Sequence, residues 1–312
     1  MKKLNCLYIV LISLVLASCS KVTGPLKEIG LGSRDINYQA DKKVDSLIIP
    51  PDLTEPSSLQ ALTEVEEIAD DDIYFPNYDA VVAIHSGPGG ESSGDSNDIW
   101  SAHWPSITIN TDDENEDGDD HVIRRISQVP EYQLSNGEKN PLGVWCHEFG
   151  HELGLPDYYD TDGSSEGVGN WAVMAAGSWG NNGETPVYFS AYSRYWLGWD
   201  EPILIDDDVS NLVIEPVSEG GKIYKLPIPG NWSESKQYFL LENRQQTKYD
   251  TYLPGEGLLI WHIDEEIMFS KWSSNTVNND ENHKGMDLEE AMKGSLEPVS
   301  YTHLTLPTKR IV

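Results

Sequence analysis

"HEFGHELGLPDYYD" (residues 147–160) sets two histidines, a glutamate, a glycine and an aspartate close together. On a helix, His147 and His151 stand one turn apart on one face, so both imidazoles can reach a single ion. Glu148 adjoins the first histidine. It is placed to touch a water on the metal rather than the metal itself, which is where a general base must sit. A catalytic zinc takes three protein ligands and keeps a fourth position for water. Gly154 follows the last apolar turn, where a left-handed glycine can end a helix, and a chain reversal there brings Asp157 into reach of the ion.

Two other readings compete. One is a solvated helix with two surface histidines and a glycine C-cap. The other is a thermolysin-like layout whose third ligand is a later glutamate. Glu166 and Glu184 are available for that role, but both lie in glycine-rich text with little helical character. Around the motif, residues 141–153 read as a helix with Val144, Phe149 and Leu153 as packing positions, and 188–199 as an aromatic helix.

The spacing H-E-x-x-H-x-x-G-x-x-D resembles the zinc motif of the metzincin branch that uses aspartate as third ligand. The longer text "HEFGHELGLPDYYDTDGSSEGVGNWAVMAAGSWG" (147–180) is similar to the immune inhibitor A-like secreted metallopeptidases. Upstream, "DAVVAIHSGPGGE" (79–91) and "NDIWSAHW" (97–104) carry the same resemblance. Downstream, so do "FSAYSRYWLGW" (189–199), "YFLLENRQ" (238–245) and "LPGEGLLIWHIDE" (253–265). The resemblance implies His147, His151 and Asp157 as zinc ligands, Glu148 as general base, and Met174 in "NWAVMAAGSW" (170–179) as a Met-turn beneath the site. Several metzincins place a tyrosine two residues after that methionine, where this chain has Ala176. Tyr158 and Tyr188 are then the candidates to support an oxyanion.

Net charge is −31 with a pI near 4.4, which argues against nucleic-acid binding because such a chain repels phosphate. The acidity suits an exported protein that binds calcium. Lys2 and Lys3 precede an apolar run from Leu7 to Ala17, too short to span a membrane, and the text then ends in "LASC" (16–19). This resembles a bacterial lipobox, implying cleavage before Cys19 and lipid on its sulfur. Cys6 would leave with the leader, so Cys146 would remain alone and no internal disulfide could form.

Residues 19–70 read as a tether or short pro-segment, 71–200 as a zinc metallopeptidase catalytic domain, and 201–297 as a β-rich domain. Strand texture in "NLVIEPV" (211–217), "KIYKLPI" (222–228), "QYFLLENR" (237–244) and "GLLIWHID" (257–264) supports that last assignment. "VSYTHLTLPTKRIV" (299–312) breaks with the acidic text before it and resembles translated adapter read-through, so 298–312 reads as a non-native tail. Asp113, Asn115 and Asp117, followed by Gly118, have the alternating oxygens of a calcium loop. Arg124 stands where an EF-hand has its glutamate, so the loop is no EF-hand. Asp160 and Asp162 before Gly163 form a second calcium candidate. Of the remaining histidines His85, His103, His121, His262 and His283, His85 is the one expected near a cleft; Glu242 and Arg244 read as structural.

The expected fold is α+β: a metzincin-like domain with an active-site helix and Met-turn, followed by a β-rich domain. The expected function is an exported, lipid-anchored zinc endopeptidase acting on protein or peptide substrates, with calcium as an additional candidate ion. A calcium-stabilised, non-catalytic surface binding protein with structural zinc is the alternative from another class.

Overall fold

A computed structural model describes residues 73–95, 97–132, 142–228 and 236–289, together with the backbone of 7–12. Cys19, the 19–70 segment and the 298–312 tail lie outside the described residues. Backbone packing divides the chain into two compact units, one ending at Leu155 and the other beginning at Pro156 save for a short earlier piece. No helix among the described residues is long and apolar enough to cross a membrane.

The first unit contains β1 (Leu7–Ile12), β2 (Ala80–Pro88), β3 (Ala102–Trp104), β4 (Ile109–Glu114), β5 (Asp120–Ile123) and β6 (Ile126–Tyr132), with helices α1 (Gly90–Ser93) and α2 (Leu142–Glu152). Four strands form one sheet in the order β1-β2-β6-β3. β2 and β6 run parallel, and β1 and β3 flank them antiparallel. Residues 7–12 of the apolar run assigned to the leader supply β1.

Strand alternation divides the burial between the two faces of this sheet. Val81, Ala83 and Ile126 pack with Phe75, Ile109 and Ile123. Val82, Ile84 and Val129 form a second cluster, which Trp145 of α2 covers, and Trp145 Nε1 donates to the carbonyl of Pro130 at 3.1 Å. That contact seats α2 on the sheet. Val144 is buried as expected, whereas Phe149 and Leu153 are only half-buried.

The second unit holds a five-stranded sheet in the order β11-β10-β9-β8-β7. Its strands are β7 (Ile203–Leu204), β8 (Tyr224–Pro227), β9 (Gln237–Arg244), β10 (Gly257–Asp264) and β11 (Met286–Leu288). Helices α3 (Ala191–Trp196) and α4 (Glu265–Trp272) belong to the same unit. Ser190 caps α3 by accepting from the Ser193 amide, and Gly198 at φ 70° follows its end, so this helix is shorter than the aromatic text suggests. "NLVIEPV" is not a strand. Val213 is 70% exposed, and the stretch makes only an isolated bridge at Pro216, a residue with no amide hydrogen for a ladder.

Beneath the sheet lies a buried ionic network. Glu242 accepts from Arg194 Nη2 at 2.9 Å, from Arg244 Nη1 at 3.3 Å and from Trp261 Nε1 at 2.8 Å. Arg244 also forms a two-pronged pair with Asp250, at 2.5 Å through both Nε and Nη2. Burial alone would raise the Glu242 carboxyl pKa, but the Arg194 and Arg244 guanidiniums outweigh it and hold the value below the ordinary range. Glu242 and Arg244 are thus structural, as their strand setting suggests.

Candidate metal centre

α2 ends in a left-handed turn. Gly154 has φ 92°, its amide donates to the His151 carbonyl at 2.9 Å, and the Leu155 amide donates to the Gly150 carbonyl at 3.0 Å. These are the paired bonds of a Schellman motif, and they satisfy carbonyls that a helix end leaves open. Pro156 and Asp157 follow directly.

The ligand atoms of His147, His151 and Asp157 all lie within 4.8 Å of one another, with Asp157 buried and both histidines half-buried. Among the described residues this is the one convergent group of three or more His, Cys, Asp or Glu side chains. The imidazoles of His147 and His151 meet edge to face with centroids 4.9 Å apart. His151 Nδ1 is 2.8 Å from the Leu155 carbonyl oxygen; donation there places the proton on Nδ1 and makes Nε2 the nitrogen that could meet a metal. Glu148 is buried on α2 at 7% exposure. Glu166 and Glu184 are both exposed and outside the group, and Glu184 accepts instead from Asn181 Nδ2 at 3.1 Å.

Behind the helix, β3 and β6 contribute polar groups that sequence reasoning missed. The His103 ring stacks on that of His151 with centroids 5.8 Å apart. Its Nδ1 is 3.3 Å from Glu152 Oε1 and 3.1 Å from Ser127 Oγ. Ser127 Oγ lies 3.2 Å from both the Glu148 carbonyl oxygen and Glu152 Oε1, and Arg125 Nη1 donates to the Glu152 carbonyl at 3.2 Å. His103 is therefore a histidine beside the motif that the sequence did not single out. His85 is buried on β2, and that burial lowers its imidazole pKa. No local pattern signals His103; only the pairing of β3 with β6 brings it here. Cys146 is a poor nucleophile, because burial pushes its thiol up to about 11.

The stretch after the motif is fixed by its own unit. The Tyr158 amide donates to the carbonyl of Met174 at 2.7 Å, and the Met174 side chain is fully buried. The Tyr158 carbonyl accepts from the Val168 amide at 3.1 Å and from Asn278 Nδ2 at 2.8 Å. Gly167, at φ 60°, approaches so closely that a Cβ would lie 2.3 Å from the Tyr158 carbonyl oxygen. Asp157 itself exchanges two hydrogen bonds with Asn275. Its amide donates to Asn275 Oδ1 at 2.7 Å, and Asn275 Nδ2 donates to Asp157 Oδ2 at 2.6 Å. Tyr158 is a core residue: its hydroxyl is buried and accepts from Ser193 Oγ at 3.4 Å, so it does not suit an oxyanion role. Tyr188 is half-buried, its ring edge-to-face with that of Tyr249 and its amide donating to Asp250 Oδ1 at 3.0 Å.

In the two acidic loops the side chains bind backbone. Asp113 Oδ2 accepts from the Phe75 amide at 2.7 Å, and Asn115 Oδ1 accepts from the amides of Asp117 and Asp119 at 3.0 and 3.1 Å. Asp160 accepts from the Asp162 amide at 3.0 Å, and from the Ser164 hydroxyl and Ser165 amide at 2.7 Å each. Asp162 Oδ1 accepts from the Ser164 amide at 3.0 Å. Both loops are thus closed by Asx-type turns.

Residues 71–200 match the family model for the immune inhibitor A peptidase M6 catalytic domain. The chain is 46% identical over 59 residues to the pre-pro-metalloprotease PrtV of Vibrio cholerae serotype O1, a match covering 18% of this chain and 6% of that protein. It is 46% identical over 61 residues to immune inhibitor A of Bacillus thuringiensis subsp. alesti, covering 18% of this chain and 9% of that protein. The chain thus spans less than a tenth of the length of these relatives. The family agrees with the resemblance read from the motif.

Proposed function

We propose that this chain, whose residues 71–200 match the peptidase M6 catalytic domain model, is an exported zinc endopeptidase that hydrolyses peptide bonds in proteins. His147, His151 and Asp157 would hold the metal, and Glu148 would act as general base. The observation carrying this reading is the convergence of those three ligand atoms within 4.8 Å at the end of a helix that also bears Glu148.

The donor set fits zinc: two imidazole nitrogens and one carboxylate, with three side chains leaving room for a fourth ligand. Donation from His151 Nδ1 to the Leu155 carbonyl presents Nε2 in the neutral, ligating form. Zinc, when bound, supplies Lewis acidity and makes water at its open position more acidic. Glu148 then takes the proton from the attacking water at its carboxylate and returns it to the leaving amine nitrogen. The carboxylate of Asp157 lowers the formal charge of the centre relative to three imidazoles, which leaves more of the deprotonation to Glu148. Export and membrane attachment through Cys19 rest on the leader sequence, and the cleavage they imply would remove β1 from the edge of the first sheet.

The test is zinc affinity across Asp157→Ala, Glu166→Ala and Glu184→Ala, with hydrolysis of an unfolded protein measured on each. Asp157→Ala loses both zinc and activity, and the glutamate variants keep both. Normal zinc binding by Asp157→Ala, with loss in a glutamate variant, would replace this ligand set by the thermolysin-like one.

A further inference from the structure

We infer that Asn275 is a positioning residue for the third metal ligand, an inference that rests on Asp157 being that ligand. Asn275 lies 118 residues further along the chain, just past α4, and meets Asp157 through two reciprocal hydrogen bonds of 2.7 and 2.6 Å. Only one orientation of its amide serves both bonds. The Asp157 amide needs an acceptor and the Asp157 carboxylate needs a donor, so Oδ1 faces the backbone and Nδ2 faces the carboxylate.

Asn275 is itself held in place. It adopts φ 55°, a left-handed conformation that asparagine tolerates better than most residues. Its amide donates to the Trp272 carbonyl at 3.0 Å, and its own carbonyl accepts from Thr161 Oγ1 at 3.3 Å. Asn278 and Asn279 extend the same attachment. Asn278 Nδ2 donates to the Tyr158 carbonyl, and its Oδ1 accepts from the Met286 amide at 3.0 Å. Asn279 Oδ1 accepts from the Thr161 amide at 3.2 Å and hydroxyl at 3.0 Å.

The consequence is chemical. A carboxylate on a loop can rotate about two side-chain torsions, and a ligand that must find its angle binds metal more weakly than one already set. Asn275 fixes the Asp157 carboxylate through Oδ2 while holding the backbone of the same residue. Asn278 and Asn279 fix the residues that follow but do not touch the carboxylate. The positioning therefore resides in Asn275, and its neighbours supply attachment.

The test measures the zinc dissociation constant of the full chain by competition with a chelator, alongside the melting temperature of the metal-free protein. It compares wild type with Asn275→Ala, Asn275→Asp, Asn279→Ala and Asp157→Ala. Asn275→Ala weakens zinc binding about 10- to 100-fold, the usual effect of losing a group that orients a ligand. Asn275→Asp weakens it at least as much, although it keeps size and the acceptor for the Asp157 amide, because an oxygen then faces the carboxylate. Asn279→Ala stays near wild type. Wild-type affinity in Asn275→Ala, with zinc lost in Asp157→Ala, overturns the positioning role and leaves the ligand assignment standing. Equal zinc loss in Asn275→Ala and Asn279→Ala, tracking equal falls in melting temperature, also overturns it in favour of general bracing. Wild-type zinc binding by Asp157→Ala overturns the ligand assignment and the positioning role together.

Discussion

His151 Nδ1 lies 2.8 Å from the carbonyl oxygen of Leu155, the residue whose amide closes the helix-ending turn onto Gly150. One turn thus does two jobs: it stops α2, and it orients an imidazole of the candidate centre. Gly154 makes both possible through its left-handed backbone.

Gly154→Ala should therefore show a combined defect. Placing a Cβ at φ 92° costs roughly 1–2 kcal/mol, and any shift of Leu155 moves the acceptor that orients His151. The expected result is a lower denaturation midpoint together with weaker zinc binding. Loss of stability without any loss of zinc affinity would separate the turn from the ligand.

Asp160 gives a pH signature. Burial alone would raise its pKa, but hydrogen bonds from the Ser164 hydroxyl, the Asp162 amide and Ser165 hold the carboxyl at about 2, below the ordinary aspartate value of 3.8. A depressed folded-state pKa contributes stability that is present above the unfolded value and lost as pH falls through the folded one. In metal-free protein, Asp160→Asn should lower the melting temperature at pH 5 to 7. The gap to wild type should shrink from about pH 4 towards pH 2. A gap independent of pH would mean that the ionised form is not what the loop holds.

The buried network in the second unit predicts an asymmetry. Removing one charge from Glu242, Arg244 and Asp250 leaves its partner buried without compensation, which typically costs about 3–5 kcal/mol. Arg244→Met should reach that range in denaturant unfolding. A loss below about 1 kcal/mol would show that water enters to replace the pair.

Local patterns made much of this protein readable, and long-range pairing accounts for what was not. The helix spacing of His147 and His151, the glycine at 154 and the aspartate at 157 are all local, so the candidate centre was visible in eleven residues. β9 and β10 were visible for the same reason: "QYFLLENR" and "GLLIWHID" are compact strand texts bounded by turn residues. "NLVIEPV" has similar composition, yet Leu212 and Val213 are exposed and its proline has no amide hydrogen for a ladder. In the acidic loops Asn115 and Asp160 accept backbone amides, a use of alternating oxygens that the spacing alone does not distinguish from a calcium loop. His103 and Asn275 had no local signal at all. One arrives through strand pairing and the other from 118 residues away, and neither carries a spacing relation to the motif.

The central claim is that Glu148 moves the proton at a centre held by His147, His151 and Asp157, and one paired measurement on Glu148→Gln tests it most directly. Zinc stoichiometry and the rate of hydrolysis of an unfolded protein are read on the same zinc-loaded preparation. The account predicts zinc bound as in wild type, an unchanged melting temperature, and turnover reduced by at least about 100-fold, the scale of a lost general base. Turnover near that of wild type, with zinc fully bound, would contradict it.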